Sequence, residues 1–390
     1  MTASDLVTAR AWVDVDLGAL VANYRSLLER ANPRVGALPV VKADAYGVGI
    51  GPVLRALETL RPWGYAVAAL GEGLEVRRHG VERPVVLLFN TPEELAAAAE
   101  AGVTPVIGDG PALRRWREMA GMLGRKLPFH LEIDTGMGRS GFPHDAVDSW
   151  LPEALEAASD GLIWEGTLTH FHSSEVEDET PSREQWERWE RCVRRFPAGT
   201  GGLHHISATA AALRFPEYGA DLIRPGIHLY GAPVSPGLPW PRPVAVVRAR
   251  VTSVRDVPAG STSSYGATYT APASSRWATL AIGYGDGLRR ELSNRGCVTF
   301  DGKTAPIVGR VCMDVTVVDV TRLEGVGPGS VATVIGGPHG GPTAFDSVAA
   351  ACGTIPYEIL TGLTGRLPRR YVGPEGTAHA GGSGDSGGAT

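Results

Sequence analysis

Residues 40–52 read VVKADAYGVGIGP. An apolar run ends in Lys42 and opens into small residues, a tyrosine and glycines. A strand that runs into a glycine loop starts two common kinds of α/β domain. In a doubly wound dinucleotide fold the glycines follow the first strand as GxGxxG, which lets the backbone approach a pyrophosphate. YGVGIGP does not fit that spacing, and no GxxxxGK(S/T) motif occurs anywhere in the chain. The number of strands around this stretch therefore decides between that sheet and a closed barrel.

Upstream, WVDVD reads as a short strand and residues 17–32, LGALVANYRSLLERAN, as a helix. From VGALPVV onward, strand and helix patterns alternate. WGYAVAAL precedes GEGLEVRRHG, PVVLLFN precedes TPEELAAAAEAG, and TPVIGD precedes PALRRWREMAGMLG. LPFHLEID, LIWEGTLTHF, HHISATAA and LIRPGIHLYG supply four more strands. SREQWERWERCVRRF is the clearest helix, with opposite charges four apart on its exposed face. About eight buried strands alternating with helices predict an α/β fold, a (β/α)8 TIM-type barrel. Near residue 235 the texture changes: SPGLPWPRP is a Pro/Gly linker, and short Val- and Thr-rich runs with glycine turns follow. These read as an all-β second domain, so the barrel is followed by a mainly β C-terminal domain. The expected organisation is a barrel domain at 1–238 with a strand–helix lead-in, a β domain at 239–372, and a disordered Gly/Ser-rich tail at 373–390.

A chain of 390 residues suits two domains. With 43% hydrophobic and 20% charged residues it has the composition of a soluble protein with a sizeable core. A net charge of −5 and the lack of a basic, aromatic-interleaved stretch argue against nucleic acid and anionic membrane as partners. The N-terminus has no signal-peptide layout, and no apolar run approaches a membrane span. Cys192, Cys297, Cys312 and Cys352 are far apart, with no CxxC pair or zinc spacing. Reduced thiols in a cytoplasm, and no metal site, are expected.

Lys42 has two readings from the residues alone. A lysine at a strand end can reach into solvent along its apolar stem. It can also be a reactive amine at a barrel mouth, such as a Schiff-base lysine. Eight motifs, in order, tip the balance: VVKADAYGVG at 40–49, DTGMGRSGF at 134–142, GTLTHF at 166–171, RPGIHLYG at 224–231, SSYGATYTA at 263–271, GYGDGLRR at 283–290, GRVCMDVTVVDV at 309–320 and GTIPYE at 353–358. Together they resemble the alanine racemase family of fold-type III pyridoxal-phosphate enzymes, over residues 11–371.

The resemblance implies a cytoplasmic amino-acid racemase, an isomerase that supplies D-alanine for cell-wall peptidoglycan. Lys42 matches the lysine that holds pyridoxal 5'-phosphate and acts as one base, and Tyr265 matches the second base. A free phenol with a pKa of ~10 is a poor base at neutral pH and needs help from its neighbours. Arg224 matches the arginine that faces the ring nitrogen; it can only donate, which weakens the ring as an electron sink and suits simple proton exchange. Tyr46, Thr209, Tyr357 and the backbone N–H groups of Gly226 and Ile227 match the phosphate site. His170 matches the residue packed on the ring, with His172 a nearby alternative. Arg139 and Met313, the latter through its backbone N–H, match residues that hold the ring oxygen or the substrate carboxylate, and Asp314 reads as loop support. The resemblance also implies a head-to-tail homodimer in which one copy brings Tyr265 and Met313 to the barrel of the other.

Three positions depart from the family pattern. Glu132 stands where many members have a lysine that becomes carbamylated, Ala208 stands for an asparagine, and Pro356 for another frequent asparagine. Glu132 is expected to pair with Arg139 through two parallel N–H···O bonds. These changes bear on the pocket wall and so on the substrate. The alternatives are a racemase of another small or polar amino acid such as serine, a same-fold decarboxylase, and a non-catalytic cofactor carrier.

Overall fold

A computed structural model of the chain describes residues 8–31, 36–235 and 237–373. The extreme N-terminus and all of the expected tail except Gly373 lie outside the described residues. Among the described residues, eight parallel strands form a closed ring: Gly36–Ala37, Tyr65–Val67, Val85–Leu87, Thr104–Ile107, Leu127–Asp134, Leu162–Leu168, Leu203–His205 and Leu222–Ile223. Six of them pair continuously in the middle of the ring. Closure comes from short contacts. Ile223 pairs with Ala37, Val40 bridges to Ala66, and Ala208 bridges to Arg224. The Leu38 N–H donates to the Ile223 carbonyl at 2.8 Å, and the Ala66 N–H to the Pro39 carbonyl at 2.9 Å. Strands buried on both faces need unbroken apolar runs, and VVL and TPVI are buried throughout.

Helices cover the ring. Thr180–Val193 buries Ser182, Gln185, Trp189 and Cys192, one stripe at helical spacing, and its exposed face carries the pairs Glu184–Arg188 and Glu190–Arg194. Two runs that look like whole strands in the sequence are strand–helix corners. HHISATAA turns at Ala208 into the helix Thr209–Arg214. LIRPGIHLYG leaves the sheet at Pro225, which has no N–H for a ladder, and continues as the 3-10 turn Ile227–Tyr230.

The second sheet runs Lys303–Pro306, Cys297–Phe300, Val331–Ile335, Ala245–Val257, Ala11–Asp16, Arg369–Val372, with Ser275–Leu280 paired to the far half of Ala245–Val257 and Thr316–Asp319 paired to Ser275–Leu280. In that long strand Ala245, Val247, Ala249 and Val251 are buried, a period of two. The lead-in strand, expected with the barrel, belongs to this sheet: Ala11–Asp16 pairs antiparallel with Ala245–Val257 and parallel with Arg369–Val372. Its alternation shows a half-buried strand but names no partner. The second domain is also not all β. The helices Phe345–Cys352 and Pro356–Thr361 follow an alanine-rich run and a proline at the first helical turn, both helix-favouring signals.

Candidate active site

The C-terminal rim of the barrel opens into a cavity of about 470 Å³ whose lining includes Lys42, Tyr46, Glu132, Arg139, His170, Thr209, Arg224, Gly226, Ile227 and Tyr357. Lys42, His170 and Arg224 sit just past the ends of their strands, the position from which a barrel presents chemistry, while Tyr357 comes from the helix Pro356–Thr361 of the second domain.

Lys42 opens a left-handed turn. Ala43, Asp44, Ala45 and Tyr46 have φ of 53°, 53°, 52° and 57°. Non-glycine residues pay for this conformation, so the surroundings must hold it. Glu72 accepts from the Ala43 N–H at 2.6 Å and from the Ala68 N–H at 2.8 Å, and Asp44 accepts from the Ile50 N–H at 2.8 Å. Arg369 donates to the Gly47 carbonyl at 2.7 Å, and the Tyr371 hydroxyl donates to the Val48 carbonyl at 3.0 Å. The strand Arg369–Val372 of the second domain thus clamps the loop that aims Lys42. Burial, followed by the Arg139 cation, pushes the Lys42 amine below the ordinary lysine range, and Glu72 opposes them.

Arg224 is 4% exposed. It donates to the Thr169 carbonyl at 2.8 Å, the Ile206 carbonyl at 3.0 Å, His170 Nδ1 at 3.0 Å and His205 Nδ1 at 3.2 Å. Burial lowers its pKa to about 10, which still leaves it charged at neutral pH. His170 is held neutral, down to about 3, by burial first and then by Arg224, Arg139 and Lys42. His172 is exposed and bonds Ser173. Tyr46 stacks on Tyr230 at 4.6 Å and faces Tyr357 at 6.3 Å. A Cβ on Gly226 would lie 2.5 Å from the Tyr46 hydroxyl, so only glycine lets backbone and phenol converge here. Thr209 Oγ1 accepts from the Gly226 N–H at 3.3 Å.

The sequence reading missed a relay beneath Arg224. His205 Nε2 lies 2.6 Å from His130 Nδ1, and His130 Nε2 lies 3.3 Å from Glu165. A guanidinium only donates, so His205 Nδ1 accepts and its proton sits on Nε2. That proton goes to His130 Nδ1, and His130 Nε2–H points at Glu165. Burial favours both imidazoles neutral. The available signal was three polar residues interrupting apolar barrel strands, at positions too far apart in the chain to read as a group.

Glu132 is 5% exposed. The expected two-bond pair with Arg139 is not formed. The guanidinium approaches at 3.7 Å through one nitrogen, and the short bond comes instead from Ser140 Oγ at 2.6 Å. Arg139 also lies over the Phe89 ring at 4.8 Å. Burial raises the Glu132 pKa, against the lowering by Ser140 and Arg139. A carboxyl raised in the folded state contributes stability below its unfolded pKa, about 4.3, that is lost as pH rises through the folded value. Glu132→Gln should therefore leave the melting temperature at neutral pH unchanged or higher. It should also loosen Arg139 and raise KM roughly threefold to tenfold, the order of 1 kcal/mol for a half-exposed ion pair. Melting curves and steady-state kinetics check this, and a parental KM would make Glu132 a passive wall. Activity should not depend on added bicarbonate.

Ala208 caps the helix Thr209–Arg214 without a side-chain hydrogen bond, and Pro356 starts the helix that carries Tyr357. Tyr265 and Met313 are not in the barrel cavity. They are 72% and 52% exposed and line a shallow pocket of about 370 Å³ on the second domain, with Asp314 beside them.

A cavity with one amine, a buried arginine and hydroxyl and amide donors around a glycine cradle fits a phosphorylated aldehyde, which makes this a pyridoxal-phosphate barrel site. Residues 15–234 match the family described as alanine racemase, N-terminal domain, and residues 244–371 match alanine racemase, C-terminal domain. The chain belongs to the alanine racemase family. It is 37% identical over 370 residues to the alanine racemase of Carboxydothermus hydrogenoformans, covering 93% of this chain and 99% of that one. Among solved structures, alanine racemase from D-cycloserine-producing Streptomyces lavendulae superposes with a TM-score of 0.89 at 32% identity, over 94% of this chain and 97% of that one. The Bartonella henselae alanine racemase with covalently bound pyridoxal phosphate gives 0.85 at 30% identity, over 93% and 100%.

Proposed function

We propose that the protein interconverts L-alanine and D-alanine with pyridoxal 5'-phosphate, in a homodimer whose copies share their active sites. The observation that carries this reading is one barrel-rim cavity lined by Lys42, Arg139 and Arg224. Racemisation takes a proton from one face of Cα and returns one to the other, so two groups must stand on opposite sides. Lys42 is the first. Its lowered pKa leaves more neutral amine to take or give the Cα proton at Nζ. Tyr265 is the second, exchanging a proton at Oη on the far face. Its exposure on the second domain, outside the cavity lining, supports delivery by a second copy.

Arg139 orients the substrate carboxylate, together with the Met313 N–H of the second copy. His170 would pack on the cofactor ring, and Arg224 would donate to the ring nitrogen without giving up its proton. Tyr46, Thr209, Tyr357 and the N–H groups of Gly226 and Ile227 would hold the phosphate. The cofactor, when bound, supplies the electron sink that acidifies the Cα–H. Asp314 supports the Met313 loop. Supply of D-alanine to peptidoglycan and a cytoplasmic location belong to the same proposal. No helix among the described residues is long and apolar enough to cross a membrane. Four unpaired thiols support a reducing compartment.

Incubation with single L-amino acids in D2O tests class and substrate together. Alanine should exchange its Cα proton fastest, with inversion. Faster serine would move the assignment to another racemase, release of CO2 and amine would make the protein a decarboxylase, and no exchange would leave a carrier.

A further inference from the structure

Met313 sits on a loop with no regular secondary structure, half exposed, where loops ordinarily move. This loop is tied down. The Tyr284 N–H donates to the Cys312 carbonyl and the Gly285 N–H to the Met313 carbonyl, both at 2.9 Å. Within the loop, the Cys312 N–H bonds the Val315 carbonyl at 3.0 Å. Both carbonyls are thus turned toward residues 284–285, while the Met313 N–H takes no acceptor among the described residues.

Four alternating charges anchor the arrangement. The Asp286 carboxylate is 1% exposed and receives Arg10 Nη2 at 2.8 and 3.0 Å, Arg366 Nε at 3.3 Å and the Gly283 N–H at 3.0 Å. Arg366 Nη2 continues to the Asp314 carboxylate at 2.6 Å, and Arg10 Nη1 donates to the Asp314 carbonyl at 3.1 Å. The glycines of GYGDG make room for this. A Cβ on Gly283 would lie 2.2 Å from the Cys312 carbonyl oxygen, and one on Gly285 would lie 2.2 Å from Arg366 Nη1. The motif at 283–290 has no other assignment in the site.

We propose that Arg10, Asp286 and Arg366 are positioning residues that fix the Cys312–Asp314 loop in the pose one copy presents to the barrel of another. This rests on the shared-site reading above. Their work is done in the partner's active site, although all three lie in one chain's second domain or its lead-in. A preset loop spares the dimer the ordering of the Met313 N–H when substrate binds.

Arg10 and Arg366 have half-exposed side chains, so Arg366→Met and, as a second variant, Arg10→Met leave no new buried cavity. Each homodimer should lose between about 10- and 100-fold in kcat/KM, the scale set by misplacement of about 1 Å. The larger share should fall on KM, with partial rescue by Arg366→Lys. Heterodimers purified through two different tags place the defect. A Lys42→Ala copy paired with a Tyr265→Phe copy has one complete site if sites are shared, and should recover about half the parental activity. A Lys42→Ala copy paired with an Arg366→Met copy should recover as much, because the intact loop serves the working lysine. Failure of the first pairing overturns the shared-site reading. Recovery in the first but not the second, or parental kinetics in both single variants, overturns the positioning role.

Discussion

Replacing Lys42 with alanine should abolish racemisation, by on the order of 10⁴-fold or more, since the proposed mechanism gives one amine both cofactor attachment and proton transfer. The protein should stay folded, because Lys42 is a partly exposed cavity residue and the turn that follows it is held by Glu72, Arg369 and Tyr371. The chain makes the companion experiment unusually clean. It contains only three lysines, Lys42, Lys126 and Lys303, and the last two are exposed. Borohydride reduction of the cofactor-loaded protein followed by peptide mapping should find the pyridoxyl group on Lys42 alone. The pH dependence has a defined sign. A neutral amine is the reactive form, and burial and Arg139 push its pKa down, so free-enzyme attachment should already be fast below the usual lysine range. Modification of Lys126 or Lys303, or an active Lys42→Ala variant, would remove Lys42 from the mechanism.

The parts of this structure that were legible in the sequence are those carried by local pattern. The barrel strands show as short apolar runs because both faces are buried, and the strand count together with the missing GxGxxG spacing argued against the dinucleotide fold. The strand-end residues Lys42, His170 and Arg224 were found because motifs mark the points where strands open into loops. What stayed hidden depends on partners distant in the chain. Trp12–Asp16 alternates like any half-buried strand, and its antiparallel partners, such as Ala245 opposite Val15 and Arg248 opposite Trp12, lie in a different domain of the sequence. Glu72, which steadies the Lys42 turn, looks like an ordinary helical glutamate. His130, Glu165 and His205 come from three barrel strands and become a relay only when those strands are side by side. Glu132 was located correctly on a buried strand, but its main partner is Ser140. The DTGMG turn places the serine hydroxyl closer to the carboxylate than the neighbouring guanidinium.

The Tyr265→Phe variant should lose between about 10² and 10⁴ in racemisation rate, the usual contribution of one general acid–base group. Its fold should be unaffected. Tyr265 is 72% exposed at the tip of a short turn between Ser264 and Gly266, both at positive φ, and the substitution removes only a hydroxyl. The informative measurement is the asymmetry that remains. With the phenol gone, Lys42 still faces one side of Cα. One enantiomer of alanine should then wash its Cα proton into D2O without inverting, while the other should be nearly inert. Spectroscopic titration should show the cofactor bound as tightly as in the parent, because none of its proposed holders lies in the Tyr265 turn. Equal loss of exchange from both enantiomers would place Tyr265 on the same proton path as Lys42. Parental racemisation would show that the second base is another residue.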